Sequence, residues 1–211
     1  MAKSTAVAHT IQGLLKYHGL KNKKLRLPFH DSISVCVKEL TTTATVDFRP
    51  EYGEDTVLIN ESVAKGTEAQ RVIAVVEALR KLKKTKARAK IVSKNNLEKA
   101  KGVGFSAAAF ASIAFAASNA LNLKIDLPRL SEIARLGAGS ASRSLVGGAE
   151  ECSSPHENQD DNCQYARTTS VKCLPGSTHH KIPMPMATSS TGCQTQFYHG
   201  SRRAGASPSP G

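Results

Sequence analysis

The 211-residue sequence has no tryptophan and only 5% aromatic residues, so stacking platforms for single-stranded nucleic acid are scarce. It also lacks a long apolar run. The most apolar stretch, 105–123, is interrupted by Ser106, Ser112, Ser118, Asn119 and Asn122. That suits a small-residue core helix and not a membrane span. No apolar segment follows the opening Met1-Ala2-Lys3-Ser4, so no secretory leader is expected and a cytoplasmic location is. Of the five cysteines only Cys36 lies before residue 151, which excludes a disulfide framework there and fits a reducing compartment.

The last 61 residues lack a hydrophobic pattern. They contain three Ile, Leu or Val (Val171, Leu174 and Ile182) against 26 Ser, Thr, Gly or Pro, too little apolar surface to offset the entropy of ordering. The first 150 residues hold 24 Lys+Arg and 13 Asp+Glu, so nearly all of the net +12 sits there. The expectation is a basic folded body followed by a disordered C-terminal tail.

In the body, Ile33, Val35 and Val37 alternate with Ser32, Ser34 and Cys36, which predicts a half-buried strand with the aliphatic face inward. The β-branched stretch 41–48 is expected to pair with it, and 57–59 to form a third short strand. Three strands without an intervening helix imply antiparallel pairing and an α+β class. Thr67 and Gln70 have capping-box spacing at the start of a helix whose apolar face is Val72, Ile73, Val76, Leu79 and Leu82. A short strand at 89–92 follows. Helices are predicted over about 105–121 and from Pro128 to Leu136, with a turn or helix start after Gly137.

Three clusters could carry chemistry. Strand, glycine loop and helix succeed one another at 92–106, where Gly102, Val103 and Gly104 precede Ser106. Glycines let a backbone approach phosphate, and a helix start offers unpaired amides. The spacing is neither a Walker A loop nor a dinucleotide fingerprint, and a tight strand-to-helix turn explains it equally well. At 139–148 small residues surround Arg143, a planar fork suited to carboxylate or phosphate, with Ser140 three residues before it. A glycine-lined turn with a surface arginine is the plainer alternative. Near the start, Lys16, Tyr17, His18 and Gly19 are followed by Lys21, Lys23, Lys24 and Arg26, a run that suits a polyanion but is more often a solvated loop.

These clusters, with Leu27-Pro28, the Ser32–Val35 strand and the Ser93, Asn95, Asn96 set, stand in the order and spacing of a known family. From about residue 5 to 152 the chain resembles the N-terminal half of the mevalonate diphosphate decarboxylases, within the GHMP kinase superfamily, and most of all the archaeal-type members. The resemblance implies a GHMP-kinase-like N-terminal domain (ribosomal protein S5 domain 2-like) over 1–152. It implies ATP-dependent decarboxylation of a phosphorylated mevalonate, with ATP and Mg²⁺ as cofactors, in isoprenoid biosynthesis. Carried over, Arg143 would hold the substrate carboxylate, Ser140 would orient the substrate and Tyr17 would lie near its 5-phosphate. Gly102, Val103, Gly104 and Ser106 would wrap the ATP phosphates, with Ser93 and Asn95 beside the nucleotide. The partners implied are the small substrate and, at most, a second copy of the chain, with no membrane and no nucleic acid.

The sequence departs from the family at Leu20 (usually Lys), His18 (usually Trp) and Phe105 (usually Ser), which leaves the substrate open among mevalonate 5-diphosphate, 5-phosphate and a bisphosphate. The family's catalytic Asp belongs to a C-terminal half with no match here. The expectation is a truncated chain of little or no turnover whose 153–211 tail is translated out of register from about residue 172. A zinc site from Cys152, Cys163, Cys173, His179, His180 and Cys193 is disfavoured because no Cys-x-x-Cys pair exists. The alternatives carried are a GHMP-type small-molecule kinase without decarboxylation and a basic nucleic-acid-binding protein, the latter motivated by the run from Arg80 to Arg88.

Overall fold

The structure is a computed structural model, and it describes residues 3–16, 18–97, 102–146, 149–152, 166–169 and 197–198. Its strands are β1 (Lys3–Leu15), β2 (Leu20–Asn22), β3 (Leu27–Pro28), β4 (Ser32–Arg49), β5 (Thr56–Ile59), β6 (Ser62–Val63), β7 (Arg88–Asn95), β8 (Ala149–Cys152), β9 (Ala166–Thr169) and β10 (Phe197–Tyr198). Its helices are α1 (Gly66–Lys83), α2 (Phe105–Ala120), α3 (Leu127–Gly137) and α4 (Ala141–Val146). The main sheet runs β10-β1-β4-β7-β5-β6, with β8 beside the first part of β4 and β9 beside β8; β2 and β3 form a separate hairpin. All pairings in the sheet are antiparallel except β5 with β7. The α+β class is therefore as expected.

β4 corrects one expectation. The stretches 32–37 and 41–48 do not pair with each other; they are two parts of one long strand, and both pair with β1. Along β1, His9 faces Thr41 and the next residue, Thr10, faces Val37. Lys38, Glu39 and Leu40 are thus surplus residues that bulge out of the ladder instead of turning it back. His9 Nδ1 bonds the Lys38 carbonyl at 2.9 Å, and Asn96 Nδ2 donates to the Glu39 carbonyl at 2.7 Å, which holds the bulge closed. β5 likewise pairs with β7 and not with β4.

The core lies between one face of the sheet and the helices. Val46, Phe48 and Ile91 from the sheet meet Val72, Val76 and Leu79 of α1 and Ile113 of α2. α2 is nearly buried all round, and its alanines let it lie close to β1 and β4 while touching all three other helices. On the predicted face of α1, Val72, Val76 and Leu79 are buried, Ile73 is half-buried and Leu82 is exposed. The Thr67–Gln70 capping box does not form. The helix starts two residues earlier, with Lys65 at the N-cap and no side-chain cap, because Gly66 enters it at φ +59° and places Thr67 inside the first turn. α3 is capped as its sequence suggests: Asp126 Oδ1 accepts from the Arg129 amide at 3.0 Å, with Pro128 in the first turn.

Candidate functional site

The glycine loop ends against the sheet. Gly102 and Gly104 have φ of +82° and +80°, the left-handed region that favours glycine. Gly104 occupies the N-cap of α2 without a side-chain cap, and its carbonyl accepts from the Ala107 amide at 2.9 Å. A Cβ on Gly104 would run into the carbonyl oxygen of Ile11, which places the start of α2 directly on β1. Val103 is half-buried and Ser106 is exposed on the first turn. A sixteen-residue helix ending here directs its partial positive charge to this spot.

α4 brings the second cluster to the same part of β1. Ser144 Oγ donates to the His9 carbonyl, two residues from Ile11. The Arg143 amide donates to the Ser140 carbonyl at 3.2 Å, so the two residues share the first turn as their spacing suggests. The Arg143 side chain is only 6% exposed, and its Nη1 donates to Ser32 Oγ at 2.5 Å. Among the described residues its Nε has no hydrogen-bond partner, and the same holds for the buried hydroxyls of Thr10 and Ser34. The surface-arginine alternative for Arg143 is therefore overturned.

Ser32 and Ser34 also correct the expected face of β4. The period-two alternation is present, yet the serines point inward and Ile33 is 39% exposed. Near residue 46 the buried face of β4 meets aliphatic side chains, but at 32–34 it meets Arg143, and hydroxyls are what that guanidinium can bond. A cluster of buried polar groups with unmet bonding capacity is costly, which is the usual mark of a binding site.

Two more guanidiniums act on one another electrostatically. Arg71 on α1 donates from Nε to the Gly137 carbonyl at 2.6 Å and lies over the Phe110 ring, 4.9 Å from its centroid. Burial pushes the Arg71 guanidinium below the ordinary arginine value, and the nearby charge of Arg26 adds to the effect. Arg26 sits at φ +54°, and its Nε lacks a hydrogen-bond partner among the described residues. Lys21, Lys23 and Lys24 are exposed in and around the β2–β3 hairpin, in keeping with a solvated loop. Nothing in the sequence joined Arg26 to Arg71, because they lie on different elements, far apart along the chain.

Ser93 and Asn95 lie at the end of β7 that leads toward the loop. Ser93 faces inward beside Ala44, with its hydroxyl unpartnered among the described residues, and Asn95 Oδ1 accepts from Thr42 Oγ1 at 2.8 Å. A shallow depression of about 490 Å³ borders Asn95, lined also by Thr43, Lys94 and Asn96. Tyr17 lies outside the described residues, as do the cysteines and histidines of the alternative zinc site except Cys152, whose side chain is not described. Among the described residues no three His, Cys, Asp or Glu come together to hold a metal, and no helix is long and apolar enough to cross a membrane. The basic run from Arg80 to Arg88 is not a uniform cationic face, since Arg80 and Arg88 both pair with Asp55.

Fold and site together define an α+β domain that gathers an uncapped helix start and a buried guanidinium at one part of a mixed sheet, an arrangement suited to phosphorylated, carboxylated ligands. The chain belongs to the diphosphomevalonate decarboxylase-like N-terminal domain family, whose model matches residues 8–164. It is 43% identical over 145 residues to the phosphomevalonate decarboxylase of Haloferax volcanii, covering 69% of this chain and 45% of that protein. The mevalonate diphosphate decarboxylase of Enterococcus faecalis superposes with a TM-score of 0.74 at 31% identity, over 80% of this chain and 52% of the other. A further solved structure, of MDDEF in complex with MVAPP, AMPPCP and magnesium, gives a TM-score of 0.73 at 31% identity, over 80% of this chain and 51% of that one. The chain spans less than half the length of the curated relatives it matches.

Proposed function

We propose that this chain is the nucleotide- and substrate-binding half of an ATP-dependent decarboxylase acting on a phosphorylated mevalonate in isoprenoid biosynthesis. The observation that carries the reading is Arg143, a buried guanidinium that no carboxylate neutralises among the residues whose side chains are described. An isolated buried charge costs several kcal/mol, and a ligand carboxylate would offset that. Ser140, at the start of the same turn, orients the substrate. Tyr17 serves its 5-phosphate, and Arg26 and Arg71 supply further positive charge for it. The relative at 43% identity is a phosphomevalonate decarboxylase, which favours the 5-phosphate as substrate.

The start of α2 takes the nucleotide. Gly102, Val103 and Gly104 bring backbone amides to the phosphates, Ser106 adds a hydroxyl, and Ser93 and Asn95 shape the neighbouring end of β7. When bound, ATP would supply its γ-phosphoryl group to the tertiary 3-hydroxyl, with ADP as the leaving group and the hydroxyl proton released. Loss of that phosphate then draws the electron pair of the carbon–carboxylate bond into a new double bond and releases carbon dioxide. The chain's own contribution is placement and charge, which is most of what phosphoryl transfer asks of a protein. With no acidic cluster among the described residues, magnesium would be held chiefly by the nucleotide's phosphates.

Calorimetric titration of residues 1–211 with Mg-ATP and with mevalonate 5-phosphate tests the reading. Both are expected to bind, and Arg143→Gln is expected to abolish binding of the mevalonate phosphate while sparing ATP. Carbon dioxide release from residues 1–211 alone is expected to be slight, because they span only about half the length of the decarboxylases they match. Binding to nucleic acid with a steep salt dependence, together with no binding of ATP, would replace this reading with the nucleic-acid one.

A further inference from the structure

Two buried arginines in this fold are treated in opposite ways. Arg80 is matched by carboxylates: Nη1 and Nη2 reach Asp55 at 2.8 and 2.7 Å, and Nε lies 3.0 Å from Glu77. Arg143 is equally buried, but its single side-chain hydrogen bond among the described residues goes to a neutral hydroxyl, Ser32 Oγ. That bond uses Nη1. A guanidinium has a second, side-on pair of donors formed by Nε and Nη2, and here Nε is left without a partner among the described residues.

Ser32 is well placed to be a fixed acceptor. It is 1% exposed, it has one side-chain torsion, and the ladder that pairs β4 with β1 and β8 sets its backbone. A hydroxyl in this position fixes the plane of the guanidinium without cancelling its charge. A carboxylate at the same position would reach the same nitrogen, form an ion pair and remove the reason for a ligand carboxylate to bind.

We infer that Ser32 is a positioning residue for carboxylate recognition: its neutral hydroxyl holds the Nη1 side of Arg143 and leaves both the charge and the Nε–Nη2 edge to the substrate. The inference rests on the reading of Arg143 given above and adds the residue that acts through it. Ser32 does not touch the reacting atoms.

The test is calorimetric titration of the full 211-residue chain with mevalonate 5-phosphate and with isopentenyl phosphate, which keeps a phosphate but has no carboxylate. Ser32→Asp is expected to fold, to melt at or above the temperature of the unsubstituted chain, and to lose the preference for mevalonate 5-phosphate by roughly tenfold or more, the scale of one charge-assisted hydrogen bond. Ser32→Ala, which adds no charge, is expected to weaken mevalonate 5-phosphate by about fivefold to tenfold and to leave isopentenyl phosphate unchanged. Ser32→Thr restores the hydroxyl and is expected to restore the preference. Should Ser32→Asp not fold, the alanine and threonine pair decides. If the unsubstituted chain binds mevalonate 5-phosphate and Ser32→Asp binds it equally well, this inference is overturned and the Arg143 reading stands. An alanine variant that weakens both ligands alike assigns Ser32 a structural role and also overturns it. If the unsubstituted chain binds neither ligand, both readings are overturned together.

Discussion

Gly104 and Ile11 meet backbone to backbone: a Cβ on the glycine would collide with the isoleucine carbonyl oxygen, and the glycine's φ of +80° is itself hostile to a side chain. This contact seats the start of α2 on β1, beside the His9 carbonyl that Ser144 bonds from α4. Gly104→Ala is therefore expected to destabilise the domain by about 2–4 kcal/mol, combining left-handed strain with overpacking. Gly102, also left-handed at φ +82° but with open space around its Cβ position, separates the two effects. Gly102→Ala is expected to cost only about 1–2 kcal/mol. Urea unfolding of both variants checks the ranking, and equal losses would refute the role given to the Ile11 contact.

Arg26 is expected to stabilise the protein only when an anion is present. It sits in the left-handed region and adds to the charge that depresses Arg71. Arg26→Gly relieves both, so its melting temperature without added anion should rise, by an amount equivalent to about 1 kcal/mol. Inorganic phosphate should raise the melting temperature of the unsubstituted chain and do less for the variant. Melting curves with and without phosphate measure this. A phosphate response of equal size in both proteins would remove Arg26 from the anion site.

Much of this was legible in the sequence, and the remainder was not for identifiable reasons. Helices α1, α2 and α3 follow from apolar spacing, small-residue richness and Pro128. The glycine loop and the turn from Ser140 to Arg143 are local motifs, so they could be found without the fold. β1 could not: its buried face is Ala6, Ala8 and Thr10, too small and too mixed to show a period. Ser32 was missed because alternation shows that two faces differ without showing which is buried. At Ile33 the usual preference inverts, since Arg143 needs the serines. The Arg26–Arg71 interaction is purely tertiary.

Gly137 packs against Phe110, whose ring also lies under Arg71. A Cβ at Gly137 would enter that ring, so Gly137→Ala should cost about 1–3 kcal/mol. Phe110→Leu is expected to recover part of that loss by making room, giving a coupling energy of about 1 kcal/mol in a double-mutant cycle. Additive losses would show that the strain arises elsewhere. Because Arg71 Nε donates to the Gly137 carbonyl, the same variant should also weaken the response to phosphate.

The buried pair of Asp55 and Arg80 should give the fold an acid-sensitive step. Burial raises the Asp55 carboxyl, but the Arg80 hydrogen bonds, the Ala89 amide and the charges of Arg80 and Arg88 outweigh it and hold the group below the ordinary carboxylate range. A carboxyl depressed in the folded state contributes stability that is complete above its unfolded pKa, about 4, and is lost as pH falls through the lower folded value. Asp55→Asn removes the negative charge and leaves Arg80 buried with only Glu77, itself 44% exposed, as a counter-charge. The expected loss is about 3–5 kcal/mol at neutral pH. Below about pH 4 the gap between the two proteins should close, because the unsubstituted carboxyl is then being protonated too. Urea unfolding from pH 7 down to pH 2 measures the gap. A gap that stays constant across that range would mean that Asp55 stabilises by shape and hydrogen bonding and not by charge.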